Sequence, residues 1–544
     1  MTQSDSVMPN AADLIAQRLY AAGCRYAFGI PGGEVLTLLD ALDRAGIRFV
    51  LTKHENSAGF LAEGVYQRTG APGILVATLG PGAANAVNVV ANAEQDRVPL
   101  IVLTGCVDAE EALSYTHQVM DHGALFGPIT KASLRVPASG AGLLADKALA
   151  IALDGQPGPV HIDLPISVAA TPQNGKLNGA TRSRPSPVGP ASGPALDQAR
   201  AWLAEAERPL VLAGVDAANQ WAEAAVADFV RRFGAPLITS YKAKGLLPED
   251  DTLALGGAGL SPTADKRLLP LVRQADLIVL AGYDPIEMRT GWRDPWDVAE
   301  QRVVEIAAVP NHHDMHRASI SFVSDVAAGL AALGEGVTPR ETWSDGEPGT
   351  VKQALAADFN ANEAWGPAAI TMAVRAVLPR DGIATVDSGA HRILLSQLWE
   401  AYEPRSLLQS TGLCTMGCAL PLAMGAKLAE PKRAVVAFTG DAGLEMVLGE
   451  LATLRDLALP VAVVVFVDES LALIDLKQRQ RQLPSVGVDF GATDFEAVGK
   501  ALGGHGTTVD NRDDLTRALE AAFAADRFTI IACRIEARAY DGRL

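Results

Sequence analysis

The chain has 544 residues, more than one hydrophobic core can serve, so about three domains of ordinary size are expected. Its hydrophobic fraction of 49%, with 51 Gly and 32 Pro, suits alternating strands, turns and helices, and no apolar run approaches the roughly 20 residues that span a bilayer. A net charge of −17, with 46 basic residues scattered rather than clustered, argues against nucleic acid or a membrane surface as partner, so any anionic ligand has to be held locally.

Residues 1–10 are polar and lack the basic-then-apolar pattern of a signal peptide, which predicts a cytoplasmic protein. Five cysteines, Cys24, Cys106, Cys414, Cys418 and Cys533, agree with that location. Cys414 and Cys418 have no second Cys or His pair nearby and are read as small buried residues, not zinc ligands. From 8 to 172, helix-like stretches alternate with short β-branched runs at 49–52, 74–78 and 100–104, each running into a polar or glycine-rich turn. Between 173 and 194 the composition shifts to Pro, Gly and Ser, the mark of an exposed linker. The middle segment, 195–335, carries candidate strands at 209–213, 236–239, 277–281 and 303–306. A polar, turn-rich boundary follows near 335–350. The last segment, 350–540, places strands at 434–438 and 461–467 around a helix-like stretch at 444–457. The expected class is α/β, with three doubly wound parallel-sheet domains and ligands at the carboxyl ends of the strands.

The strongest local signal is Thr439-Gly440-Asp441-Ala442-Gly443, set between an apolar strand and a helix. Glycines let backbone N–H groups approach an anion, and a helix N-terminus favours phosphate. Asp468 ends the next strand, so adjacent parallel strands would bring Asp441 and Asp468 to one sheet edge. Two carboxylates, a carbonyl, water and phosphate oxygens form the hard octahedral set that Mg²⁺ prefers, whereas Asp441 alone reads equally well as a helix cap. A second signal is Glu55 in Lys53-His54-Glu55-Asn56, at another strand-to-helix junction. Taken alone, it is a helix-start residue facing the dipole.

Nine elements stand in order along the chain: Gly29-Ile30-Pro31-Gly32-Gly33, Lys53-His54-Glu55, Thr78-Leu79-Gly80-Pro81-Gly82-Ala83-Ala84-Asn85, Asp96-Arg97-Val98-Pro99, Pro128-Ile129-Thr130-Lys131, Gly158-Pro159-Val160 before His161-Ile162-Asp163, Asp387-Ser388-Gly389, Met416-Gly417, and Gly440-Asp441-Ala442. With them the chain resembles, over nearly its whole length, the thiamine diphosphate-dependent family that contains acetolactate synthase, simple 2-oxo acid decarboxylases, benzaldehyde lyase and carboxyethylarginine synthase. The resemblance implies a pyrimidine-binding, a central Rossmann-like and a diphosphate-binding domain. It also implies a homodimer with shared active sites as the minimum unit, with a homotetramer as the larger option. Glu55 would hydrogen-bond the pyrimidine ring and act as an indirect base for the thiazolium C2 proton. Met416, with the backbone of Cys414, would bend the cofactor. Asp441, Asp468 and the carbonyl of Ser470 match the metal positions. Pro31, Gly32, Thr78, Gly82, Asn85, Gly389, Ala390, His391, Ala442, Gly443, Leu471 and Ala472 complete the cofactor-binding set.

Two departures occur at the metal loop: Ala442 replaces a usual glycine, and Val467-Asp468 replaces paired asparagines. His117 and Gln118 align with the substrate-facing segment and are the candidates for proton transfer and substrate holding. Gly33, Leu473, Ile474 and Lys477 would shape the substrate pocket, Lys477 standing where acetolactate synthases carry Trp. The basic run at 477–482 reads as a pocket lid or as a solvated helix face. The middle domain lacks a G-x-G-x-x-G fingerprint, and no functional flavin is expected. The reaction implied is decarboxylation of a 2-oxo acid followed by ligation to a carbonyl acceptor. The alternatives are a non-ligating decarboxylase or aldehyde lyase, and a cofactor-binding relative without activity.

Overall fold

A computed structural model describes residues 8–174, 186–359 and 363–544. Of the linker expected at 173–194, residues 175–185 lie outside the described ones, as do residues 1–7 of the N-terminal stretch. The chain carries three six-stranded sheets in which neighbouring strands run parallel. The first contains β1 (Tyr26–Gly29), β2 (Arg48–Leu51), β3 (Gly73–Ala77), β4 (Leu100–Cys106), β5 (Ala132–Arg135) and β6 (Val160–Pro165), in the order β2-β1-β3-β4-β6-β5. The second contains β7 (Pro209–Ala213), β8 (Leu237–Thr239), β9 (Ala254–Gly257), β10 (Leu277–Ala281), β11 (Arg302–Ala307) and β12 (Ile320–Val323), in the order β12-β11-β10-β7-β8-β9. The third contains β13 (Ile383–Val386), β14 (Leu407–Gln409), β15 (Val435–Gly440), β16 (Ala462–Val467), β17 (His505–Val509) and β18 (Thr529–Arg534), in the order β14-β13-β15-β16-β18-β17.

The central strands are continuous apolar runs because helices cover both faces. Every residue of β3, β4, β7, β10 and β16 is buried, the burial pattern that parallel sheets impose. The strands read from the sequence at 209–213 and 277–281 coincide with β7 and β10, and the others fall within a residue or two. The first and third sheets share one strand order, whose direction reverses where a strand has neighbours leading to opposite edges. Such switch points open a crevice beyond the strand ends. In the first sheet it lies beyond β1 and β3, and in the third beyond β13 and β15.

The chain divides into two compact units. One is the first domain together with Pro421–Pro431 and Gly449–Leu457; the other holds the second and third sheets. The helix-like stretch expected at 444–457 is two helices, Asp441–Glu445 and Glu450–Leu457. The break at Gly449 turns the chain so that Glu450 reaches the backbone before Glu55. Within the first unit, helices Glu55–Thr69 and Ala419–Ala429 meet backbone to backbone: a Cβ on Gly425 would lie 2.1 Å from the Leu61 carbonyl oxygen, and one on Gly64 would lie 2.4 Å from that of Leu422. In the second unit the boundary near 335–350 is tied down by Trp343, which is buried and donates its indole N–H to the Pro209 carbonyl at 2.8 Å. Among the described residues no helix is long and apolar enough to cross a membrane.

Candidate functional site

In the first unit, β2 delivers the chain to Lys53 and His54, whose backbone N–H groups both donate to Glu450 Oε1, at 2.9 and 3.1 Å. His54 caps the helix by accepting from the Asn56 N–H through Nδ1. Glu55 therefore opens the helix in a fixed orientation, buried, and its Oε2 accepts from the Asn85 amide at 3.0 Å. Gly82 closes the other side: a Cβ there would sit 3.2 Å from Glu55 Oε1 and 3.0 Å from the Thr78 methyl. Thr78 donates its hydroxyl proton to Glu34 at 2.5 Å, and a Cβ on Gly32 would meet the Thr78 hydroxyl oxygen at 2.3 Å. The structure thus brings Glu55, Thr78, Gly82, Asn85 and Gly32 together beyond β1 and β3. Pro31 and Gly33 lie exposed on the same turn.

Gln118 has positive φ, and its carbonyl packs on Gly80, where a Cβ would meet it at 2.4 Å; Gly80 itself has φ +63°. His117 is exposed, its ring edge-on to Tyr115. Sequence reasoning assigned no role to Glu34, Glu450, His122 or the pair His161 and Asp163. The last two alternate on β6 and so share a face, a period-two signal of buried polar residues inside an apolar strand that could have exposed them. His122, His161 and Asp163 present metal-ligand atoms within 4.8 Å of one another, the one such group of three among the described residues. Their hydrogen bonds already engage those atoms, so the trio is a hydrogen-bonded network.

In the second unit, Gly440 of β15 pairs with Phe466 of β16, which places Asp441 and Asp468 at one sheet edge. Asp441 Oδ1 accepts from the Ala442 N–H at 2.8 Å, and Oδ2 accepts from the N–H groups of Asp468 and Glu469 at 3.1 and 2.7 Å. Burial nevertheless pushes the Asp441 carboxyl above the usual carboxylate range. Burial, and then the adjacent charge of Asp441, push Asp468 up to about 7. Two desolvated carboxyls side by side are the donor chemistry a hard divalent cation complements, and Ser470 follows directly with its own backbone oxygen.

Asp387 organises the surroundings. It is fully buried; Oδ2 accepts from the Gly417 N–H at 2.7 Å and the Thr439 hydroxyl at 3.1 Å, and Oδ1 pairs with His391 Nε2 at 2.9 Å. A Cβ on Gly443 would lie 2.1 Å from the same carboxyl, so only glycine fits there. The cleft is lined by Gly389, Ala390, His391, Met416, Asp441, Ala442, Gly443, Asp468 and Ser470 through Ile474, joined by Tyr540 near the C-terminus. The N-terminus of helix Ala390–Leu398 opens into it, a place for an anion. Ala442 is half-buried there, so its methyl is accommodated. Cys414 has positive φ, donates its thiol proton to the Thr411 carbonyl and accepts from Arg392 at 3.3 Å. Lys477 is exposed on helix Ala472–Gln480 and does not line the cleft, while Arg479 pairs with Asp475 and Asp541. Asp387 and Tyr540 were not read from the sequence as site residues: the first only opens one of the nine ordered elements, and the second is remote from every motif.

Three family models match, described as the N-terminal binding domain, the central domain and the C-terminal binding domain of thiamine pyrophosphate enzymes, over residues 9–125, 196–333 and 387–533. The chain is 30% identical to acetolactate synthase of Bacillus subtilis, covering 97% of this chain and 94% of that protein. It is 30% identical to the catabolic acetolactate synthase of Raoultella terrigena, with 97% and 95% covered. It is also 31% identical to the probable 2-ketoarginine decarboxylase AruI of Pseudomonas aeruginosa, with 96% and 94% covered.

Proposed function

The chain belongs to the thiamine pyrophosphate-dependent enzymes, in their acetolactate synthase-like group, and on that premise we propose that it decarboxylates a 2-oxo acid and joins the retained carbonyl carbon to a second carbonyl compound. The buried pair Asp441 and Asp468, set at the carboxyl ends of the neighbouring strands β15 and β16, carries this reading, because two neighbouring desolvated carboxyls call for a bound cation. Thiamine diphosphate, when bound, supplies the electron sink for breaking and making the carbon–carbon bond.

The residues of this chain bind, orient and move protons. Asp441, Asp468 and the Ser470 carbonyl hold Mg²⁺, and Gly389, Ala390, His391, Ala442 and Gly443 offer backbone N–H groups and space to the diphosphate. Leu471 and Ala472 close that wall, and Met416 with the backbone of Cys414 shapes the turn beside it. Glu55, buried and fixed by Asn85, would exchange a proton with a ring nitrogen of the bound cofactor. Gln118 orients the substrate carbonyl, His117 exchanges a proton with the product, and Gly33, Leu473 and Ile474 set which acceptor fits. The proposed working unit is a cytoplasmic homodimer, and flavin is no part of the proposal. Simple decarboxylation without ligation is the second reading, supported by the relative named as a decarboxylase.

The test is a panel of 2-oxo acids, with and without aldehydes, assayed with Mg²⁺ and thiamine diphosphate for CO₂ and for products. Acetolactate or acetoin from pyruvate supports ligation, and acetaldehyde alone supports the second reading. Absence of CO₂ release across the panel overturns both.

A further inference from the structure

Beneath the loop that carries Gly82 and Asn85, a chain of hydrogen bonds crosses the first sheet from its edge strand. The Ser133 hydroxyl of β5 donates to His161 Nδ1 at 2.7 Å, and His161 Nε2 donates to the Thr104 hydroxyl of β4 at 2.7 Å. Thr104 donates in turn to Asp163 Oδ1 at 2.8 Å, and the same oxygen accepts from His122 Nδ1 at 3.0 Å. His122 Nε2 is left as an acceptor, and it takes the Gly80 backbone N–H at 3.1 Å. Thr104, His122, His161 and Asp163 are all buried, so each bond is made in a low-dielectric setting where an unmade partner is expensive. The order of donors is forced. Asp163, held below the usual carboxylate range mainly by its bonds from His122 and Thr104 against the opposing effect of burial, can only accept, which puts the His122 proton on Nδ1.

Gly80 is where two parts of the proposed site meet. Its φ of +63° and the Gln118 carbonyl packed on it leave no room for a side chain. Two residues later Gly82 packs against Glu55, and Asn85 donates to it. His122 itself follows Gln118 in the chain after the short Val119–Asp121 link and, with Gln118, lines a cavity of about 340 Å³. We propose that His122 is a positioning residue for the reaction: by holding the Gly80 N–H it sets the spacing between Glu55 and the substrate-facing Gln118. The inference rests on the reading of Glu55 and Gln118 given above, and neither the family models nor the relatives' names assign a role to this histidine.

The experiment compares His122→Leu, which removes the acceptor, with His122→Gln, whose amide oxygen reaches about as far as Nε2. Misplacement of a reacting pair by an ångström weakens turnover by up to roughly a hundredfold, so kcat/KM for the best 2-oxo acid is expected to fall about tenfold or more in His122→Leu. The fall should lie mainly in kcat, with thiamine diphosphate affinity by calorimetry within about threefold of wild type, and His122→Gln should recover most of it. A parallel arm needs no turnover. Hydrogen exchange of the peptide spanning Gly80 should lose protection in His122→Leu and keep it in His122→Gln, while the helix Glu55–Thr69 stays protected. Wild-type kinetics and unchanged exchange in His122→Leu would overturn the proposal. So would equal losses in both variants that follow the folded fraction, because the role would then be structural only. If the wild type turns over no 2-oxo acid, the function reading fails by itself, and loss of Gly80 protection still separates a positioning role for His122 from none.

Discussion

Two consecutive backbone N–H groups, those of Lys53 and His54, end on one oxygen of Glu450, while the other oxygen accepts from Thr453. Removing that carboxyl strands polar groups at the junction that aims Glu55, so Glu450→Ala should lower unfolding stability by about 1–3 kcal/mol in urea titrations, and Glu450→Gln, which keeps an acceptor, by less. Equal midpoints for both variants and wild type would show that the junction holds without it. Glu55→Gln removes the carboxyl that would exchange the proton. It should keep cofactor affinity but slow exchange of the cofactor's C2 proton, followed by NMR, by about 10²–10⁴-fold. His161 gives a pH prediction. Burial lowers it from 6.5 to about 4, so within that window the unfolded chain binds a proton that the folded chain excludes. Its contribution is complete above about 6.5 and fades as pH falls toward about 4, a loss of about 3 kcal/mol, which should flatten in His161→Gln; parallel pH profiles for the two proteins would dismiss it. Glu55, Asp441 and Asp468 were legible in the sequence because each ends an apolar strand next to a turn. Glu450 and His122 were not, since their partners lie far away in the chain and only folding shows which backbone N–H each one meets.

Among elements, the contact between helices Glu55–Thr69 and Ala419–Ala429 leaves no room for added volume. Leu61 and Leu422 present backbone oxygens where Gly425 and Gly64 have no side chain. Backbone cannot swing aside as a flexible side chain can, so Gly425→Ala has to part the helices, and a loss of about 2–4 kcal/mol is expected by chemical denaturation. A loss below about 0.5 kcal/mol, within the range of an ordinary surface change, would mean the helices slide apart freely. The same packing limits what a sequence reveals. A glycine inside a helical pattern reads as a weak helix residue, and the close approach it permits belongs to another helix some 360 positions away. Strands were easier, because β7 and β10 are short, wholly buried apolar runs bounded by polar or helix-starting residues. The stretch at 444–457 kept a helical pattern across Gly449, so its division became visible only through the bonds that Glu450 makes.

At the scale of the whole chain, the first and third sheets repeat one strand order, and each puts its ligand-facing turns at the same topological place. The third sheet's cleft gathers two neighbouring carboxyls, and burial, followed by the charge of Asp441, pushes Asp468 up to about 7. A ligand that binds only the folded chain stabilises it by RT ln(1 + [L]/Kd), about 2.7 kcal/mol at a hundredfold excess over Kd. A diphosphate alone brings more negative charge to this cleft, and Mg²⁺ alone lacks the phosphate oxygens that complete its shell. Neither should bind well without the other. The midpoint of thermal unfolding should therefore rise clearly when Mg²⁺ and thiamine diphosphate are added together, little with either alone, and return to its starting value on chelation. Asp441→Ala, which removes one ligand and the partner charge, should abolish the joint shift while leaving the ligand-free midpoint close to or below wild type. A joint shift that survives in Asp441→Ala would place the cation elsewhere, and equal midpoints in all four conditions for the wild type would leave the cleft without the cofactor assigned to it.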